Sequence, residues 1–219
     1  VIEEHNSGEL AGMTTYRLLL HTEHPTDFVS SAYGNENDPL DITTTTHFYQ
    51  HEYGGVTPET INPGFLSTYP NLAYDSWVTI GLDGPANTSA GESAASPVQS
   101  PAQLWFVEFD PGLGAFGGDI VMTDAVGGVW YVLNGTTNGF PDADGTVLMG
   151  QFTTDGDLSG TVNVQVFPQG DNNNFITRSL SIGGNCVDQT VNPACTYPET
   201  DLVDCAGICI DDADGDEVC

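Results

Sequence analysis

In a chain of 219 residues, 31 Asp and Glu stand against only Arg17 and Arg178, and the formal net charge is −29. Nucleic acid is excluded, because phosphates are neutralised by Lys and Arg, and an anionic lipid surface repels such a chain for the same reason. No apolar run reaches the ~18 residues that a membrane-spanning helix needs.

From the N-terminus, Val1 stands in place of an initiator methionine, which predicts a processed start, and residues 1–12 read as a flexible stretch. Strand-like runs follow at 14–21, 27–33, 42–50, 74–82, 104–110, 119–123, 129–133, 146–153, 160–167 and 175–182. Turn formers such as Asp83-Gly84-Pro85, Asn134-Gly135 and Asp155-Gly156 separate them. The clearest alternation is Thr161-Val162-Asn163-Val164-Gln165-Val166, which predicts one buried valine face and one wet polar face. Nowhere do a dozen residues keep apolar positions at helical spacing. The pattern predicts an all-β fold, an antiparallel two-sheet sandwich of jelly-roll or immunoglobulin-like type, over residues 1–184. Two long connections, 52–71 and 84–103, interrupt it, and loops of that length are often functional.

Beyond 184 the alternation stops, and residues 185–219 read as a short irregular tail rich in Cys and Asp. Cys186, Cys195, Cys205, Cys209 and Cys219 all lie there, which predicts local disulfide staples and an extracellular or cell-surface location, one cysteine being left over. Asp212, Asp214 and Asp216 alternate around Gly215, with Asp211 and Glu217 beside them. Such spacing of hard oxygen ligands at a glycine-permitted bend suits calcium as the cofactor.

That run, with Asp-Cys-x-Gly-x-Cys ahead of it from Asp204, resembles the thrombospondin type 3-like calcium repeats of large secreted proteins in marine Bacteroidota. The resemblance implies that the aspartates are ligands and the cysteines staples. Glu217 stands where glycine is usual, and the motif ends at Cys219. The main domain is similar to an uncharacterised module of the same proteins through Thr-Thr-Tyr-Arg-Leu at 14–18, Tyr-Asp-Ser-Trp-Val-Thr-Ile-Gly at 74–81 and Gln-Phe-Thr-Thr-Asp-Gly at 151–156. Proteins of that kind are cargo of type IX secretion, which implies a longer parent chain.

Conventional catalytic patterns are scarce. No Gly-x-Ser-x-Gly turn occurs. His47 and His51 on a strand would stand roughly 13 Å apart, too far to share a metal. Trp77, Trp105 and Trp130 each sit inside an apolar run and are expected in the core. Tyr49, Tyr53, Phe65 and Tyr69, in and beside the first long loop, are the candidate glycan contacts. Arg17 and Arg178 stand within strands, and a buried pair of Arg17 with Asp75 is one expectation. The leading function is a non-enzymatic structural or adhesive surface protein, capable of self-association by strand addition through its N-terminal segment. The alternatives are a carbohydrate-binding module and, third, a glycoside-hydrolase-type domain, with glycan or matrix as partner.

Overall fold

A computed structural model describes residues 2–183. Its elements in chain order are β1 (Ile2–Glu4), β2 (Thr14–His21), β3 (Phe28–Gly34), β4 (Leu40–Thr44), β5 (Trp77–Val78), β6 (Ser96–Val98), the short helix α1 (Trp105–Phe109), β7 (Ile120–Met122), β8 (Gly128–Tyr131), β9 (Thr146–Thr154), β10 (Leu158–Phe167) and β11 (Ile176–Ile182). They form two antiparallel sheets, one of four strands in the order β1-β2-β9-β5, the other of seven, β6-β8-β3-β10-β4-β7 with β11 on β10. The fold is the expected all-β sandwich. Its core joins Leu20, Val147, Met149 and Phe152 of the smaller sheet to Phe28, Ala32, Ile42, Trp130 and Val164 of the larger.

The seven-stranded sheet is built from interrupted strands. β10 pairs with β11 along one edge; on the other edge it pairs first with β4, through Leu158–Thr161, and then with β3, through Asn163–Phe167. β3 and β4 therefore act as one strand broken by residues 35–39, and β7 and β8, which pair with β4 and β3, repeat the break at 123–127. Gly34 sits at the junction, where a Cβ would overlap the side chains of Leu40 and Met122. Asn163 lies opposite the break, and its amide donates to the carbonyls of Tyr33 (3.3 Å), Asp38 (2.9 Å) and Pro39 (2.9 Å). The valine face of β10 is buried as expected, while on the polar face Asn163 departs from the expectation and Thr161 and Gln165 stay half-exposed. Asn163 is buried because the break leaves the carbonyls of Tyr33, Asp38 and Pro39 without ladder partners, and its amide supplies the donor.

Other expectations also need correction. Residues 104–110 form not a strand but a single helical turn, because Trp105 and Phe109, four apart, share one buried face while Val107 and Glu108 point outward. The run at 42–50 is strand only to Thr44, with Phe48 returning as a lone bridge to Gly117 and Thr154, and only Trp77–Val78 of 74–82 pairs. At the N-terminus β1 lies on β2, His5 donates to Met13 O (2.9 Å) and Tyr74 donates to Glu3 (3.0 Å), so residues 2–13 are held by their own chain. Trp77, Trp105 and Trp130 are all buried, as expected.

Arg17 does not pair with Asp75. It is 38% exposed, donates through Nε to Gln151 (3.0 Å) and approaches Asp83 at 3.6 Å. Arg178 is exposed on β11 and donates to Thr177 O.

Candidate ligand-binding site

The first long loop leaves the sandwich after Phe48 and returns at Asp75. Its start is pinned where Phe48 and Gly117 exchange backbone hydrogen bonds (2.8 Å each) and Tyr49 N donates to Thr153 O (2.7 Å). Asp75 closes the other end. Its Oδ1 accepts the His51 N–H (2.7 Å) and its Oδ2 the Gly55 N–H (3.1 Å), so one buried carboxylate ties the two ends of the excursion together. Gly54 permits this, since a Cβ there would overlap the Asp75 carboxylate. Burial pushes Asp75 up to about 8 against the lowering effect of the backbone N–H donors, and the nearby Asp110, itself raised by burial, adds to the upward shift. Beneath the loop Ile61, Leu72 and Trp77 form a small core of their own, with Leu66, Tyr69 and Leu148 against it.

On this support the loop gathers aromatic rings at the surface. Tyr53 and Tyr69 lie 4.8 Å apart between centroids, Tyr53 and Phe65 5.4 Å, and Phe65 and Tyr69 6.1 Å. His51 joins them at 5.7 Å from Tyr53 and 5.9 Å from Tyr69. Tyr53 is 37% and Phe65 41% exposed, whereas Tyr49 is only 8% exposed and packs beneath, 6.4 Å from His51. Of the four aromatics singled out from sequence, then, Tyr53 and Phe65 are exposed, Tyr69 is partly buried against the small core beneath the loop, and Tyr49 packs underneath.

The polar groups of the cluster are oriented too. His51 Nδ1 accepts the Tyr53 N–H (3.1 Å), which leaves the proton of the neutral ring on Nε2. Burial lowers the His51 pKa, with Glu52 and Glu9 opposing the shift, so the imidazole is neutral near pH 7. The Tyr53 phenol is raised by its hydrogen bond to Tyr69 and by Glu52, while burial, Glu9 and Asp75 hold Tyr49 far above the ordinary phenol range. Gln50, 3% exposed and just ahead of His51, has no hydrogen-bond partner for either amide atom among the described residues. Such a group calls for a bridging water or a polar ligand. Rings with apolar faces, phenols and a neutral imidazole N–H can stack on and hydrogen-bond an uncharged polyhydroxylated surface. Asp75 is closed to solvent and both its oxygens accept backbone N–H groups, so it serves the loop and not a ligand.

Sequence reasoning considered His51 only as a metal ligand and Asp75 only as an arginine partner. The signal that could have found them is Asp75 flanking the loop's end opposite Gly54-Gly55. His47 is drawn elsewhere, 3.8 Å from the ring of Phe116. Among the described residues no group of three or more His, Cys, Asp or Glu is arranged to hold a metal. The calcium candidates Asp211, Asp212, Asp214, Asp216 and Glu217 and the five cysteines lie outside the described residues. No protein-family model, curated protein or solved structure matches the chain.

Proposed function

We propose that this chain is a non-enzymatic adhesive domain of an extracellular or cell-surface protein, and that it attaches to glycan through Tyr53, Phe65, Tyr69 and His51. The observation behind it is the convergence of two exposed rings, Tyr53 and Phe65, with the partly buried Tyr69 on a single loop whose ends are fastened by one buried carboxyl group. Apolar ring surface exposed to water is unfavourable, and covering it with a ligand face recovers that cost. A pyranose ring offers a matching apolar face, and its hydroxyls match the phenols and the His51 N–H. The charge of −29 favours neutral glycans over sulfated or uronate-rich ones. On a glycan array, binding by the wild type and its loss in the Tyr53→Ala, Phe65→Ala, Tyr69→Ala triple variant is the expected result; equal binding by both would remove the loop from the account.

Calcium is the second part of the proposal. The spacing of Asp211, Asp212, Asp214, Asp216 and Glu217 supports a bound ion in the acidic tail, with the cysteines as staples around it. Calorimetric titration of the full chain with calcium is expected to give saturable binding that Asp212→Asn with Asp214→Asn abolishes. A double variant that binds as the wild type does would refute the assignment.

A further inference from the structure

We infer that the outer face of the seven-stranded sheet carries a second ligand site, an open cleft between β3, β8 and β10 that takes an uncharged saccharide. It goes beyond the loop reading and shares no residue with it. The cleft measures about 330 Å³, at the lower end of the range of ligand pockets.

Register shows how it is made. Ser96, Tyr131, Ser31, Gln165 and Thr177 are successive cross-strand partners, so their side chains lie in one row on the outer face. The next row, through Trp130, Ala32 and Val164, faces the core. Val29 pairs with Val166 and Ser31 with Gln165, leaving Ser30 as the additional residue of a β-bulge. The bulge brings two consecutive serines to the same cleft, where strict alternation would allow one. Ser30 Oγ donates to the Gln165 Oε1 at 2.9 Å and to the Gln165 carbonyl at 3.2 Å, which fixes the amide and turns its NH₂ away from Ser30.

The chemistry of the lining names the ligand class. Gln165, Asn134 and Asn172 each offer a donor and an acceptor, as a sugar hydroxyl does, while Tyr131 and Phe167, the latter stacked on Phe28, add aromatic surface to the lining. No lining residue is charged, in a chain with 31 acidic residues. A cleft without a cation gives a phosphate, sulfate or uronate nothing to pair with, and one without a carboxylate gives an amine nothing either.

The test is calorimetric titration of the full chain carrying Tyr53→Ala, Phe65→Ala and Tyr69→Ala, so that the loop is out of play. The titrants are neutral xylo-, gluco- and manno-oligosaccharides, with oligogalacturonates as charged counterparts. At least one neutral series is expected to bind and the oligogalacturonates not to. Tyr131→Ala should weaken that binding about tenfold. So should Asn134→Trp, which sets a bulky ring at the exposed rim without entering the core. The inference is overturned if no neutral series binds at millimolar concentration, if oligogalacturonates bind as well, or if Asn134→Trp leaves the affinity unchanged. Each of these results leaves the loop proposal standing, because that one is read from the intact loop.

Discussion

Asp75 couples protonation to folding at a single position. Its folded pKa of about 8 lies above the ordinary value of 3.8, so the folded state binds the proton more tightly than the unfolded chain does. Its contribution to stability is therefore fullest below about pH 4, falls as pH rises toward 8, and is level beyond. Asp75→Asn removes the titration, and the stability gap between wild type and variant is expected to narrow from pH 5 to pH 8 by at most about 1.4 kcal/mol per pH unit. Urea denaturation of both proteins across that range measures the gap. A constant gap would show that Asp75 titrates as an exposed carboxylate does.

At the scale of elements, the interrupted strand is the feature on which the larger sheet depends. Asn163→Ala leaves the carbonyls of Tyr33, Asp38 and Pro39 without their side-chain donor. The expected cost is about 1–3 kcal/mol, read as a lower denaturation midpoint at unchanged slope. A variant as stable as the wild type would mean that the break is satisfied by other means. The same elements show what sequence could convey. Period-two alternation with turn residues placed β2 at Thr14–His21 and came within two residues at each end of β3, β7, β8, β9, β10 and β11. It misread 104–110, because a run of apolar residues holds a helical turn as readily as a strand when only five residues are involved. β1 and β6 left no signal, since Ile-Glu-Glu and Ser-Pro-Val carry no apolar run like the Ile-Val-Met of β7, and strand order rests on non-local pairing that no local pattern encodes. In the loop the aromatic residues were legible by type, but their convergence depends on a hydrogen bond from the His51 N–H to Asp75, 24 positions further on.

Across the whole molecule, charge outweighs every other feature of the composition. With 31 acidic residues and two arginines, folding concentrates like charges that the unfolded chain keeps apart. Raising ionic strength from about 0.05 M to about 0.5 M shortens the screening length and is expected to lift the melting temperature by roughly 2–8 °C, the shift that about 1–2 kcal/mol brings to a domain of this size. A melting temperature independent of salt would show that the acidic side chains are too well dispersed over the loops to repel one another. The same field bears on ligand choice, since it disfavours every polyanion before contact is made.

If the ring cluster of the first long loop contacts glycan, calorimetry on single variants will read it out. With an oligosaccharide selected on the array, Tyr53→Ala is expected to weaken binding about tenfold or more, Tyr53→Phe to retain most of it, and both to melt with the wild type. Unchanged affinity in Tyr53→Ala and Phe65→Ala alike, in proteins that remain folded, would contradict that contact.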